Sequence, residues 1–284
     1  MKNSAWQLVL PLVLCSCGAK NNFNYKNDFK ILFIGNSFSQ DTVQFMPNIA
    51  DELGFNIEVC NLYYPGCTVS QHIDFIDHSL PRYNFEYFEN GYWHYEEEVT
   101  ANEYIACQEW DYISIQQASP YSGISDSYNK VDDLINSVKP LLISDKTQFV
   151  WNMTWAYEES YTNVNFESYG YSTDTMYNGI INVVKSKIAK NKNISLIIPN
   201  GTAIQNLRTT YFAEYDYVTR DGFHLSTGVG RYCAAMTTIK ALTNCELDSL
   251  QFLPDGVDSD TIELCKESAN NAFIKPFEVT KSKF

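Results

Sequence analysis

The chain has 284 residues, of which 45% are hydrophobic and 15% aromatic, and its 34 acidic residues outnumber its 20 basic ones to give a net charge of −14. This length is enough for one large domain, or at most two, with a full hydrophobic core. The acidic balance argues against nucleic acid as a partner, because its phosphates would be repelled, and against an electrostatic grip on anionic lipid. We therefore expect a neutral substrate, or one that is bound through local contacts.

The first 16 residues are predicted to be a signal peptide. They contain a lysine near the start and an apolar stretch over residues 8–14 that is too short to span a bilayer. The following letters LCSC resemble the lipobox of bacterial lipoproteins, which implies cleavage before Cys17 and lipidation of that cysteine. Ordinary signal cleavage at a nearby small residue is the alternative. We expect residues 17–28 to be a polar tether, and the lipid to be the only link to the membrane, at the periplasmic or outer-membrane side of a bacterial cell envelope.

Beyond the tether, apolar strand-like runs alternate with stretches of helical periodicity. This alternation predicts an α/β fold with a doubly wound parallel sheet and helices on both of its faces. One domain over residues 29–284 is the simplest organisation, because the chain shows no internal repeat and no low-complexity tract. The predicted strands are Lys30–Ile34, Asn56–Asn61, Tyr112–Ile115, Gln148–Met153 and Ile194–Ile198, and the predicted helices cover residues 43–53, 68–79, 128–143, 173–191, 227–243 and 260–273.

The segment from about 80 to 110 interrupts this alternation. Asn90-Gly91 stands between two aromatic-rich arms, which is a strong local signal for a β-hairpin, and we interpret the segment as an insertion on one edge of the sheet. Its aromatic side chains are typical of cross-strand packing, but they would also suit a platform for sugar rings. These side chains are Tyr83, Phe85, Tyr87, Phe88, Tyr92, Trp93 and Tyr95.

Six cysteines follow the N-terminal segment. An exported protein could pair them, but six cysteines allow many connectivities, so we assign none. No CxxC or Cys/His spacing indicates a metal site, and we expect neither a metal nor an organic cofactor. Cys67 is interpreted as packed or disulfide-bonded rather than nucleophilic, because no histidine has a natural place beside it. The six are Cys60, Cys67, Cys107, Cys233, Cys245 and Cys265.

The first predicted strand ends at Gly35-Asn36-Ser37, on the edge where open parallel sheets bind their ligands. Apolar residues then recur with a helical period that closes at Gly54, so we expect Ser37 in a short turn between a buried strand and a helix. A purely structural role, in which Asn36 and Ser37 turn the chain and cap the helix, is the alternative.

A nucleophilic serine needs a base and a group that orients the base. Asp221 and His224 lie three residues apart in one predicted loop, from which Asp221 could hold the imidazole while His224 reaches Ser37. The other histidines fit a helix surface, a helix end or the hairpin better. They are His72, His78 and His94.

Together these motifs resemble the SGNH/GDSL hydrolase superfamily over residues 30–245. The letters GNS match its first block, with Asn36 in place of the usual aspartate, and Asp221 and His224 match its last block. The segments WD…QQAS, DG-x-HLS and GRY resemble a poorly characterised branch of the superfamily found in bacterial lipoproteins. The resemblance implies catalytic roles for Ser37, Asp221 and His224, and a flavodoxin-like sheet of about five strands in the order 2-1-3-4-5.

The resemblance also implies an oxyanion hole, which would stabilise the negative charge formed on the substrate carbonyl. Its backbone donors would be the N–H groups of Ser37 and Gly66, the latter matching the glycine of the second block. The third block departs from the family, because Gly-x-Asn-Asp is missing and WDYISIQQASPYSG stands in its place. A glutamine amide carries the same kind of donor as asparagine, so Gln116 is the preferred third donor and Gln117 the alternative.

The function implied by the resemblance is that of a serine esterase that forms an acyl-enzyme on Ser37. Envelope members of the superfamily often deacetylate carbohydrates, so we expect an O-acetylated glycan or a related small ester as the substrate. Two alternatives stay open: a non-catalytic glycan-binding lipoprotein that kept the fold, and an esterase or lysophospholipase that acts on lipids. The acyl group, the sugar and the oligomeric state do not follow from the sequence.

Overall fold

The structure is a computed structural model, which describes residues 23–214 and 218–283. The predicted signal peptide, residues 1–16, and the predicted lipidation site at Cys17 lie outside the described residues. Within the two described ranges, no helix has both the length and the apolar character needed to cross a bilayer.

The end of the predicted tether lies against the domain. The ring of Phe23 stacks on that of Tyr112, and the Tyr112 hydroxyl donates a 2.6 Å hydrogen bond to the carbonyl of Asn24. Lys26 forms an ion pair with Asp111, at the start of the strand that Tyr112 opens. Residues 23–28 are therefore held by side-chain and backbone contacts.

A mostly parallel sheet of seven strands forms the centre of the fold. The strands are β1 (Phe29–Gly35), β2 (Ile57–Tyr63), β3 (Tyr83–Glu89), β4 (Tyr92–Val99), β5 (Tyr112–Ile115), β6 (Gln148–Asn152) and β7 (Ile194–Ile198). Their order is β4-β3-β2-β1-β5-β6-β7, with antiparallel pairing at β4–β3 and β3–β2 and parallel pairing elsewhere.

The predicted α/β class is confirmed, whereas the predicted number of about five strands is too small. Both strands of the hairpin continue the sheet beyond β2, so the order 2-1-3-4-5 does not describe the seven-stranded sheet. The five parallel strands taken alone stand in the order β2-β1-β5-β6-β7. The strand order therefore switches sides at β1: β2 lies on one side of β1, and β5, β6 and β7 follow on the other. The carboxyl ends of β1 and β5 lie side by side at this switch point.

The α-helices of the described residues pack around this sheet. They are α1 (Ser37–Val43), α2 (Met46–Glu52), α3 (Val69–Asp77), α4 (Ala101–Ile105), α5 (Val131–Val138), α6 (Thr173–Val183), α7 (Asn200–Leu207), α8 (Val229–Thr243) and α9 (Ser259–Ile274). Helix α8 contacts α1, α2, α7 and α9, whereas α3 contacts α4 and α5. Helices α4 and α7 were not predicted from the sequence.

The helix predicted over residues 43–53 is present as the shorter α2, and a separate helix that was not predicted, α1, precedes it and begins at Ser37. Proline has no N–H to donate to the carbonyl four residues earlier, which for Pro47 is that of Val43. Helix α1 ends at Val43, and Pro47 lies in the first turn of α2, where its missing N–H costs nothing. Ser37 is consequently the first residue of a helix and does not lie in the short turn predicted between strand and helix.

The predicted hairpin is present. Asn90 and Gly91 both have positive φ angles, 53° and 87°, as the tight turn between β3 and β4 requires. Its aromatic residues divide between the two uses considered above: Tyr83 is buried in the core, whereas Tyr92 and Tyr95 are 73% and 65% exposed.

The expected surface position of His72 is wrong, and so is the expectation that no histidine lies beside Cys67, whereas the interpretation of Cys67 as a packed cysteine is confirmed by its burial. His72 is fully buried rather than at a helix surface, and its Nδ1 lies 3.4 Å from the Sγ of Cys67 and 2.7 Å from the hydroxyl of Tyr83. Burial raises the pKa of the Cys67 thiol, so this cysteine stays protonated and inert despite its histidine neighbour. All six cysteines of the described residues are free thiols.

Candidate active site

Ser37 lies where the central strand β1 passes into α1. Asn36 is the N-cap of this helix, and its Oδ1 accepts a 3.0 Å hydrogen bond from the N–H of Phe38. Gly35 permits this sharp change of direction, because a Cβ at that position would overlap the side chain of Ser39. The serine is thereby fixed at the carboxyl end of the sheet, with one capping residue between strand and helix.

The structure brings the three predicted catalytic side chains together. The Oγ of Ser37 lies 2.8 Å from Nε2 of His224, and Nδ1 of the same ring lies 2.7 Å from Oδ2 of Asp221. Both distances are within hydrogen-bonding range, and the contact between Ser37 and His224 joins residues 187 positions apart in the chain. This is the geometry of a nucleophile, a general base and an orienting carboxylate.

The loop that carries Asp221 and His224 is closed on itself. Oδ1 of Asp221 accepts a 2.8 Å hydrogen bond from the backbone N–H of His224, and the N–H of Arg220 donates to the carbonyl of His224. Thr219 and Leu225 form a β-bridge at the base of the loop. These contacts fix the relative positions of the acid and the base before any substrate binds.

The charge state of Asp221 follows from these contacts. Partial burial raises the pKa of its carboxyl, but the hydrogen bonds and charge of His224, together with the N–H of Phe223, outweigh burial and leave the pKa below its ordinary value. An ionised carboxylate can only accept, so Nδ1 of His224 carries the proton and Nε2 is available to accept from Ser37.

The predicted oxyanion donor Gly66 lies in the loop after β2, beside the end of β1. The N–H of Tyr64 donates to the carbonyl of Gly35, and Nδ2 of Asn36 donates to the carbonyl of Cys67 at 3.1 Å. Gly66 has a φ of 61°, which favours glycine there. Within the described residues, no hydrogen bond uses the N–H of Gly66 or of Ser37, so both donors are available to a ligand.

The two candidate glutamines differ in what they contact. Gln116 Nε2 donates to Oδ1 of Asn36 at 3.0 Å, which places this amide next to the residue before Ser37. The amide of Gln117 instead donates to the carbonyl of Ser127 at 2.7 Å and accepts from the N–H of Val69 at 3.2 Å. Gln116 therefore stays the preferred third donor, because its amide contacts Asn36 and that of Gln117 does not.

A chain of buried polar side chains, which the sequence did not predict, continues from Gln116 under the edge of the sheet. Oε1 of Gln116 accepts from Asn152 at 2.8 Å, and Oδ1 of Asn152 accepts from Asn200 at 2.8 Å. Asn200 in turn contacts the hydroxyl of Thr238 on α8 at 3.1 Å. Such networks fix side-chain orientations, because each buried amide needs all of its partners.

Asp41 is a buried acidic residue near the site that sequence reasoning missed. It is completely buried, and its carboxylate accepts from Arg220 at 2.9 Å, from Arg231 at 2.7 Å and from the N–H of Leu225 at 2.8 Å. Arg220 and Leu225 border the loop of His224, whereas Asp41 lies one turn after Ser37. The only sequence signal is its four-residue spacing from Ser37, which places both near one side of α1.

Aromatic rings surround His224, the candidate catalytic histidine. The ring of Phe223 lies 3.8 Å from that of His224, and the half-buried Tyr161 lies 4.8 Å from Phe223. On the inner side, Phe38 stacks on Trp155, whose indole N–H donates to the carbonyl of Phe223 at 2.8 Å. The rings thus support the loop from below and leave Phe223 and Tyr161 partly open to a substrate.

Solved structures include one close relative. A DUF4886 family protein from Bacteroides uniformis ATCC 8492 is 36% identical, with a TM-score of 0.84, over 89% of this chain and 98% of that chain. A protein from Slackia heliotrinireducens described as a candidate SGNH hydrolase is 19% identical over 75% of this chain and 98% of its own, with a TM-score of 0.48. An acetyl xylan esterase from Geobacillus stearothermophilus is 15% identical over 81% and 97%, with a TM-score of 0.44.

Sequence comparison gives the family directly. A search of curated proteins finds no match. The family described as "Domain of unknown function (DUF4886)" matches residues 30–272, which include every predicted catalytic and oxyanion-hole residue. Because this match spans most of the chain, and the Bacteroides uniformis relative agrees with it in sequence and fold, the chain belongs to the DUF4886 family.

Proposed function

We propose that this protein is a serine ester hydrolase of the SGNH type, which removes O-acetyl groups from carbohydrates through an acyl-enzyme on Ser37. The main support is the pair of short contacts that links Ser37, His224 and Asp221, at 2.8 Å and 2.7 Å. A serine that only turns the chain or caps a helix has no need of an imidazole held by a carboxylate. The geometry therefore favours catalysis over a purely structural role for Ser37.

In the proposed reaction, the hydroxyl of Ser37 attacks the ester carbonyl while Nε2 of His224 takes its proton. The N–H groups of Ser37 and Gly66, with the Gln116 amide, would stabilise the resulting oxyanion. The intermediate collapses, the alcohol leaves with the proton held by His224, and the acyl group stays on Ser37. A water molecule, deprotonated by His224, then releases the acid and regenerates the serine, while Asp221 stabilises the imidazolium in both steps.

A neutral carbohydrate ester is supported by the charge and the aromatic surface of the protein. The net charge of −14 disfavours anionic substrates at the binding step. Phe223 and Tyr161 offer half-buried ring faces beside His224, and ring faces of this kind pack well against the apolar face of a sugar.

We also propose that the protein is exported and held at the bacterial cell envelope by a lipid on Cys17. This proposal depends on the sequence alone, on the apolar stretch over residues 8–14 and the LCSC motif that follows it. Metabolic labelling with palmitate tests it: the wild-type protein should incorporate the label, and Cys17→Ser should not. Wild-type protein that incorporates no labelled palmitate would argue for ordinary signal cleavage.

The esterase proposal is tested by the hydrolysis of 4-nitrophenyl acetate, butyrate and octanoate. Acetate turnover should fall by about a thousandfold or more in Ser37→Ala and in His224→Ala, because either change removes a member of the catalytic set. Ser226→Ala, which changes a nearby serine outside this set, is the matched control. A preference for octanoate would indicate a lipid esterase, and a folded protein without turnover on any ester would exclude the proposal.

A further inference from the structure

One face of α1 connects the nucleophile to the hairpin. Ser37, Gln40 and Gln44 are half-buried, whereas the residues between them are buried. Their spacing of three and four residues puts them on one side of the helix, about 5 Å and then about 6 Å apart along its axis. An open stripe therefore leads from Ser37 along α1 towards the hairpin.

This stripe ends at a cavity of about 160 Å³ between α1 and the hairpin, lined by Gln40, Gln44, Glu86, Trp93 and Tyr95 among others. In the register of the hairpin, Glu86 lies directly opposite Tyr95, and Trp93 is two residues before Tyr95 on the same strand. All three side chains therefore lie on one face of the sheet. The Trp93 indole N–H donates to the carbonyl of Gln44 at 3.0 Å, which fixes the ring.

Glu86 is an unusual residue for a cavity wall. Its side chain is only 9% exposed, and its two oxygens accept hydrogen bonds from the amides of Gln40 and Asn61. Burial raises the pKa of this carboxyl, although the two amides and the charge of Arg231 act in the opposite direction. A carboxylate oxygen can accept two hydrogen bonds, and one is found at each Glu86 oxygen, so the wall keeps acceptor capacity for a ligand.

We propose that this cavity, the hairpin subsite formed by Gln40, Glu86, Trp93 and Tyr95, binds a neutral pyranose ring next to the acetylated sugar at Ser37. The inference depends on the proposed esterase function, and it makes the substrate an oligosaccharide rather than a single acetylated sugar. Glu86 and Gln40 would bond the sugar hydroxyls, and the exposed ring of Tyr95 would cover the apolar face of the sugar.

The chemistry of the cavity favours a sugar over the other ligands considered. An acyl chain would leave the Glu86 carboxylate facing hydrocarbon, which is costly for a charged group. An acidic sugar would bring a second negative charge next to Glu86. Only a neutral ring with both hydroxyl groups and an apolar face matches a carboxylate, an amide and aromatic rings in one wall.

Binding is measured first, with Ser37→Ala protein and calorimetric titration of acetylated xylotriose and acetylated cellotriose. We expect Tyr95→Ala and Glu86→Gln, each added to Ser37→Ala, to raise the Kd by about fivefold or more. Tyr92→Ala is the matched control, because Tyr92 is an exposed tyrosine of the same strand that lies on the opposite face. The control should bind like the parent protein.

Turnover is measured next, as the ratio of kcat/KM on the acetylated trisaccharide to kcat/KM on 4-nitrophenyl acetate. The ratio should fall about fivefold or more in Tyr95→Ala and stay constant in Tyr92→Ala. An unchanged ratio and Kd in Tyr95→Ala, or an equal fall in Tyr92→Ala, would overturn the subsite and leave the esterase intact. Protein that hydrolyses no ester but binds the trisaccharide through Tyr95 would overturn the esterase and leave the subsite.

Discussion

Two serines two residues apart differ in the partner that each hydroxyl contacts. Ser39 is completely buried, and its Oγ lies 2.7 Å from the carbonyl of Asn36 and 2.8 Å from Oδ1 of Asn61. Both neighbours of Ser39 are acceptors that hold the hydroxyl in place, and neither is a base. Ser37 instead faces the imidazole of His224. The partner of the hydroxyl, and not its place in the strand–helix junction, distinguishes the candidate nucleophile.

The role of Gln116 gives a prediction at this scale. Gln116→Ala should lower kcat on 4-nitrophenyl acetate by about a hundredfold, since one oxyanion donor is worth about 3 kcal/mol and the same amide also supports Asn36. Gln117→Ala should lower kcat less, because the Gln117 amide bonds the Ser127 carbonyl and the Val69 N–H instead. If Gln116→Ala kept the wild-type kcat while Gln117→Ala lost most of it, Gln117 would be the third oxyanion donor instead.

At the scale of elements, α1 is too short to be stable alone, so its position depends on its contacts. Phe38 packs on Trp155, Asp41 bonds the loop that ends at Leu225, and Gln40 bonds the hairpin. One short helix thus carries the candidate nucleophile and contacts the loop of Asp221 and His224 on one side and the proposed subsite on the other.

The contacts of Asp41 give the next prediction. Asp41→Asn keeps an acceptor for the Leu225 N–H but leaves Arg220 and Arg231 without their carboxylate, so the loop of His224 should shift relative to Ser37. We expect kcat to fall about tenfold or more while KM for 4-nitrophenyl acetate changes little, because the buried Asp41 does not reach the substrate. The free energy of unfolding should also fall, by about 3–5 kcal/mol.

The control for this experiment is Asp51→Asn, which removes the same charge from an exposed position on α2. Folding is checked by the tryptophan fluorescence of each variant at the assay temperature. The rate at which a fluorophosphonate labels Ser37 separates a positioning effect from lost protein, because it reports on the folded molecules alone. Folded Asp41→Asn with kcat and labelling rate near those of wild type would show that Asp41 only stabilises the fold.

Local patterns predicted the elements whose signal is contained in their own residues. The parallel strands were found because burial on both faces requires a short apolar run. The hairpin turn was found because its positive φ angles favour the pair Asn90-Gly91. The contacts of Asp41 and the burial of His72 were not found, since both depend on partners far away in the chain. The break between α1 and α2 was missed although Pro47 marks it, because the apolar period continues across it.

At the scale of the whole molecule, four separate segments meet at the carboxyl edge of the parallel sheet. The junction after β1, the loop after β2, the end of β5 and the loop before α8 supply Ser37, Gly66, Gln116 and His224. The buried amide chain from Gln116 to Thr238 crosses from the sheet to α8 beneath this edge. Misplacement of any one segment should therefore disturb the site as a unit.

Acid stability gives the last prediction, and it depends on His72. Burial lowers the pKa of His72 from 6.5 to about 3, so the folded protein keeps this ring neutral where the unfolded chain binds a proton. The stability that this group contributes is complete above pH 6.5 and is lost as the pH falls towards 3, by up to about 1.4 kcal/mol for each pH unit. Urea unfolding followed by tryptophan fluorescence at pH 7, 6 and 5 measures this loss.

His72→Asn, whose amide can replace Nδ1 beside Tyr83, should be less stable than wild type at pH 7, and the difference should shrink as the pH falls. His78→Asn, at an exposed position after the same helix, is the control and should follow the wild-type curve. A constant difference between wild type and His72→Asn from pH 7 to 5 would show that His72 does not cause the acid sensitivity.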